Sequence, residues 1–115
     1  MSQSLDLEQL AAYLHSFAAD RNWEQFHTPK NLAMALAGEV GELVEVFQWL
    51  TPGQSAQLDE DARQHASDEL ADVAIYLVRL ADVLGIDLGA AVTTKMAANE
   101  LRYTVEASRD SAKKR

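Results

Sequence analysis

The apolar residues of this chain recur at intervals of three and four almost from end to end, and only two prolines and five glycines interrupt them. That periodicity predicts an all-α protein. A first helix runs from Asp6 to about Asp20, with Leu7, Leu10, Ala11, Leu14, Phe17 and Ala18 in one stripe. Asp6 and Gln9 are placed to form a capping box at its start. A connector, Arg21 to His27, holds Trp23 and Phe26. The second helix begins at Thr28 as N-cap with Pro29 at its first position, and ends before Pro52-Gly53. A polar segment with room for a short helical turn follows. The third long helix spans about Arg63 to Leu84, closed by Gly85, and Asp87 caps a fourth that reaches about Tyr103. The expectation is a four-helix bundle over residues 1–105, followed by a flexible polar tail over 106–115.

Composition narrows what such a bundle can do. The chain has 115 residues, enough for one domain but with a modest core. It has no cysteine, which excludes disulfides, zinc–thiolate sites and thiol catalysis. The opening MSQSLDLEQL lacks the basic start and apolar run of a signal peptide, and no apolar stretch approaches a membrane span, so a cytoplasmic protein with no membrane partner is expected. The net charge of −8 argues against binding a nucleic-acid polymer, whose partners carry basic surfaces. It does not exclude a free nucleotide, because divalent cations can bridge acids to phosphates.

The positions of the acids carry more than their number. A helix turns about 100° per residue. In the second helix the core stripe is Leu32, Leu36, Val40, Leu43, Phe47 and Leu50, and Glu39 and Glu42 lie about 60° and 120° to one side of it. In the third the stripe is Val73, Leu77, Leu80 and Leu84, with Glu69 and Asp72 about 40° and 100° away on the same side. A short link makes these helices antiparallel neighbours, and both pairs lie about ten residues from it. Four carboxylates are therefore expected to converge. Glu45 continues the series but points about 180° from the core stripe.

Converging carboxylates repel unless cations sit between them, and all-oxygen ligands suit Mg²⁺ or Mn²⁺. The competing reading, that such pairs decorate solvated faces, holds for a lone ExxE and weakens for two level pairs. A di-iron bundle would need Glu-x-x-His on its helices. The chain offers that spacing only at Glu24 and His27, in the connector.

The stretches WEQFHTPKNLAMALAGEVGELVEVFQWL, DELADVAIYLVRLADVLGIDL and KMAANELRY resemble the MazG-like superfamily, and most of all its short all-α dCTP pyrophosphatase branch. The likeness runs from about Trp23 to Tyr103. Its motif, ExxE, a spacer and ExxD, appears as Glu39-Val-Gly-Glu42 and Glu69-Leu-Ala-Asp72 with 26 residues between. The resemblance implies that these four acids hold catalytic Mg²⁺, with Mn²⁺ as a substitute, and that a (deoxy)nucleoside triphosphate is split into monophosphate and pyrophosphate. It implies dCTP or a related or modified pyrimidine nucleotide as substrate. It also implies that Trp23 and Trp49 enclose the base, that Tyr76 and Asn99 lie near sugar and base, and that Lys95 answers the phosphates. His27 and Arg102 join this substrate-binding set, Arg102 beside Tyr103 in a basic-aromatic end motif. At His15 the match is offset by one residue.

The residues read alone leave alternatives. Each tryptophan could equally anchor a core or an interface, and Lys95 and Arg102 could be solvated. The resemblance implies a homodimer or a tetramer of two dimers. Ala71, Ile75 and Val78, about 160° around from the third helix's core stripe, read as a second face for such a contact. The rival to an enzyme is a non-catalytic acidic bundle that serves binding or assembly.

Overall fold

The computed structural model describes residues 4–115, and its order is α1 (Leu7–Asp20), α2 (Pro29–Phe47), α3 (Pro52–Ser55), α4 (Glu60–Val83), α5 (Leu88–Arg102) and α6 (Val105–Ser108). Among the described residues every regular element is a helix. The starts follow from local chemistry. Asp6 accepts from the Gln9 N–H while the Gln9 side chain accepts from the Asp6 N–H, so both orphan donors are met. Thr28 caps α2 ahead of Pro29, Asp59 caps α4, and Asp87 caps α5. Gly85, at φ 70°, ends the α4 segment in a left-handed turn that a side chain would strain.

The centre is the α2–α4 hairpin, the most extensive contact in the chain, joined through the short α3. Residue 27 meets 79 and residue 39 meets 69, so the numbering runs in opposite directions along the two strands of chain. Helix α1 packs on α4 as a third member, while α5 touches α1 and α4 only sparsely. Leu32, at 1% exposure, is the one large side chain wholly enclosed among the described residues. Around it, Leu14, Ala18, Ala66, Val78 and Ala81 complete a small core.

Three expectations change. Helix α2 stops at Phe47 rather than just before Pro52, so Trp49 sits in a turn and not on the helix flank. Helix α4 begins at Glu60, earlier than Arg63, because Asp59 supplies the cap. Val78, assigned to an outer face, is 4% exposed, whereas Leu77 and Leu84, assigned to the core stripe, are 42% and 50% exposed. The reason is α1: it covers α4 on a second side, and periodicity shows how wide an apolar face is but not which neighbour fills it.

The protomer is open. Its radius of gyration is 17.4 Å, against roughly 13 Å for a compact domain of this length. Its accessible surface is 9046 Å², where a compact chain of 12.7 kDa would show roughly 6,200 Å². Met34, Leu70, Met96 and Leu101 are among the large apolar side chains left exposed. No helix among the described residues is long and apolar enough to cross a membrane.

With so small a core, single positions matter. Leu32→Ala should lower unfolding free energy by about 2–5 kcal/mol, and Thr28→Ala by about 1 kcal/mol, in urea denaturation. Equal losses from the two changes would mean that Leu32 is not the centre of the core.

Candidate metal centre and aromatic cavity

Each half of the acidic cluster is carried by one rigid helix, Glu39 and Glu42 by α2, Glu69 and Asp72 by α4. One carboxylate oxygen each from Glu39, Glu69 and Asp72 lie within 4.8 Å of one another. Glu69 is the most enclosed, at 8% exposure, with Glu39 and Asp72 half-buried. Glu42 stands at the solvent edge, yet near enough to repel Glu69. Glu45 is exposed.

Two features set this cluster apart from a solvated acidic face. Glu39 Oε2 and Glu69 Oε2 are buried with no hydrogen-bond partner, a costly state for a carboxylate oxygen. Burial, then the neighbouring carboxyls of Glu39 and Glu42, pushes the Glu69 carboxyl up to about 7. His65 Nε2 lies 3.5 Å from Glu69 Oε1, one turn back along α4, and meets the other Glu69 oxygen. Unpartnered carboxylate oxygens converging from two helices fit a hard divalent cation, which would satisfy the oxygens and offset the repulsion. The cluster is a candidate divalent-metal site.

Further along the same face of α4 lies a cavity of about 290 Å³. Tyr13 and Phe17 from α1, Trp23 and His27 from the connector, and Tyr76 and Arg79 from α4 line it. Trp23 meets the Phe17 ring edge-on at 5.7 Å and the His27 ring at 6.0 Å, so the aromatic wall is braced from both sides. Asp72, Tyr76 and Arg79 occupy successive turns of one face, so the cavity begins one turn beyond the acids and ends about 10 Å beyond them.

Of the residues expected at a substrate site, the protomer brings Trp23, His27 and Tyr76 together. It does not bring the others to them. Trp49 is 85% exposed in the turn after α2. On α5, Lys95 and Arg102 are exposed and Asn99 is half-buried; none of these four lines the cavity. The Arg102 guanidinium lies over the ring of its neighbour Tyr103, 5.6 Å from the centroid. His15 Nδ1 lies 3.8 Å from Asp82 Oδ2, beside the cavity wall.

Sequence reasoning missed Arg79 and Asp82. Arg79 is 5% exposed; its Nε donates to His27 Nδ1 at 3.1 Å and its Nη1 to Asp82 Oδ2 at 3.2 Å. The available signal was a lone arginine inside the apolar run VAIYLVRLADVL with an acid three residues later.

Residues 35–115 match the MazG-like family. Human dCTP pyrophosphatase 1 is 47% identical over 110 residues, covering 94% of this chain and 65% of the human protein. The rat protein of the same name is 50% identical over 109 residues, 92% of this chain and 64% of its own length. The chain thus spans just under two thirds of the curated relatives it matches. The crystal structure of a pyrophosphatase from Archaeoglobus fulgidus superposes with a TM-score of 0.79 at 38% identity, covering 90% of this chain and 97% of that one.

The raised Glu69 carboxyl predicts a pH dependence with a definite sign. From its ordinary value of 4.5 up to about 7, the folded metal-free protein keeps a proton that the unfolded chain has released. This group's contribution to stability therefore falls as pH rises through that window and is level above it. In urea melts with chelator, Glu69→Gln should gain stability relative to the unchanged protein on going from pH 5 to pH 8. A difference between the two proteins that stays constant with pH would contradict this.

Proposed function

The chain belongs to the MazG-like family, and we propose that it hydrolyses a nucleoside triphosphate, dCTP or a related or modified pyrimidine nucleotide, to the monophosphate and pyrophosphate. One observation carries this reading. A cation-demanding acidic cluster and an aromatic cavity lie on consecutive turns of α4, as the triphosphate and base ends of one nucleotide require. The relatives named dCTP pyrophosphatase 1 support the choice of substrate.

In this account Glu39, Glu42, Glu69 and Asp72 hold Mg²⁺, or Mn²⁺ in its place. When bound, the metal polarises phosphate oxygens, acidifies water and neutralises the leaving group. The rest falls to the chain. Rigid α2 and α4 keep the four carboxylates in place, and one of them takes the proton of the attacking water. Oxygen of that water bonds to the α-phosphorus as the bond to the bridging oxygen breaks, releasing pyrophosphate. Trp23 stacks on the base, Tyr76 stands between base and acids, and His27 faces the base edge.

Trp49, Lys95, Asn99 and Arg102 complete the site from outside this protomer's cavity, which calls for a second copy. We place the active unit as a homodimer or a tetramer of two dimers. The accessible surface of 9046 Å² and the exposed Met34, Leu70, Met96 and Leu101 support that assembly. Nucleic-acid polymer and membrane are not partners, and a cytoplasmic location suits an enzyme of the free nucleotide pool.

Incubation with dCTP and Mg²⁺ should release pyrophosphate. Glu39→Gln, Glu42→Gln, Glu69→Gln and Asp72→Asn should each lower the rate at least ~100-fold, with partial recovery at high Mg²⁺, since even groups behind metal ligands cost 10–100-fold. Glu45→Gln, exposed and away from the cluster, should stay within about twofold. Full activity in all five variants would return the acids to a solvated face and favour the assembly reading. Trp49→Ala should raise KM more than it lowers kcat, because stacking acts on ground and transition states alike. Light scattering that finds a monomer at micromolar concentration would contradict the shared site.

A further inference from the structure

His27 and Arg79 form a polar end to a cavity otherwise lined by aromatic rings with Leu14 and Ile75, and their hydrogen bond has a chemical consequence. Arginine nitrogens only donate. Since Arg79 Nε donates to His27 Nδ1 at 3.1 Å, Nδ1 must present a lone pair, and the proton of the neutral imidazole must sit on Nε2. We propose that Arg79 is a positioning residue for substrate selection: it locks His27 in the Nε2–H tautomer, so that the imidazole donates a hydrogen bond to an acceptor atom of the nucleobase. This inference rests on the nucleotide reading of the cavity.

The lock is built rather than incidental. The Arg79 side chain is 6% exposed, and Asp82, one turn along α4, holds its Nη1 at 3.2 Å. Asp82 is approached in turn by His15 Nδ1 at 3.8 Å from α1. Arg79 therefore sits with its charge balanced and little freedom to rotate away. The hydrogen bond from Arg79 is the only one that the described residues give the His27 ring, which leaves Nε2 for a ligand. Burial, and then the Arg79 charge, hold the imidazole below its usual pKa, so the ring stays neutral near pH 7. The polar groups around it are Arg79, Tyr76 and Asp82 from α4, Trp23 and Glu24 from the connector, and Tyr13 and His15 from α1.

The chemistry of the ligand follows. Neutral His27 in this tautomer offers a donor and no acceptor to the cavity, and Arg79 offers donors alone. A ring inserted between the aromatic walls is favoured when it turns a carbonyl oxygen or an unprotonated ring nitrogen toward them. Cytosine presents both, at O2 and N3.

The alternative is that Arg79 merely ties the connector to α4, and the test separates the two. Long-range ¹H–¹⁵N correlation spectra of the ¹⁵N-labelled protein near pH 7 should show His27 Nε2 protonated and Nδ1 bare. Arg79→Met should admit a minor Nδ1–H population of His27 beside the Nε2–H form, free the ring to reorient and raise the KM for dCTP about tenfold, with kcat within about twofold. Inorganic triphosphate, which has no base, should inhibit both proteins equally. His27→Gln, which keeps an N–H near the Nε2 position, should hold KM within about threefold, whereas His27→Phe should match Arg79→Met. If Arg79→Met does not fold, the unchanged protein's spectrum and the two His27 variants decide. A proton on Nδ1, an unaltered tautomer and KM in Arg79→Met, or equal loss with His27→Gln and His27→Phe overturns the proposal. So does a parallel loss of kcat and triphosphate affinity, which marks a structural tie. An active enzyme indifferent to Arg79→Met defeats this inference alone, whereas no pyrophosphate from any nucleoside triphosphate defeats the nucleotide reading with it.

Discussion

Mutual repulsion among carboxylates held on two rigid helices is what the rest of this structure must accommodate. Glu39, Glu69 and Asp72 bring oxygens within 4.8 Å of one another, and neither the Oε2 of Glu39 nor that of Glu69 has a hydrogen-bond partner. A flexible loop would relieve such a strain by moving apart. Here the acids are on α2 and α4, the most extensively packed pair of elements, with the enclosed Leu32 on the same hairpin. The packing holds the charges in place, and the Glu69 carboxyl responds by keeping its proton up to about 7. An arrangement that costs stability without a cation, and whose repulsion a bound cation would offset, is a candidate binding site in energetic terms.

Helix α4 then sets distances. Its acids, Tyr76 and Arg79 come on successive turns, so one straight element spaces the phosphate-facing and base-facing parts of the proposed site. The connector between α1 and α2 closes the far end, braced by Trp23 against Phe17 and by His27 on Arg79. What one protomer lacks is equally telling. Trp49 stands 85% exposed, and α5, which carries Lys95, Asn99 and Arg102, is only sparsely packed. Exposed apolar surface and unplaced polar residues occur together, and a second copy would answer both.

Much of this was legible in the residues. Asp6 with Gln9, Thr28 with Pro29, Asp87 and Gly85 each act through local backbone chemistry, and each marks a boundary where the structure has one. Helix rotation and the short link pointed to all four acids; Glu39, Glu69 and Asp72 do approach within 4.8 Å, while Glu42 stands at the solvent edge. Other features depend on contacts that periodicity does not encode. Trp49 and Leu50 continue the apolar spacing of α2 after the helix has stopped at Phe47. Val78 is covered by α1 while Leu77 is not, since a stripe's angle does not name its neighbour. Arg79 looked like a stray charge in an apolar run. Only the fold-back of the connector gives it His27 as a partner.

The central claim is that the cluster exists to hold a divalent cation, and proton release on binding tests it most directly. At pH 6 the Glu69 carboxyl is largely protonated, and a bound cation must displace that proton. Titrating metal-free protein with Mn²⁺ in weakly buffered solution, with binding followed by electron paramagnetic resonance, should release more protons per site at pH 6 than at pH 8.5. Mn²⁺ that fails to bind, or that binds with the same proton release at both pH values, would contradict the account.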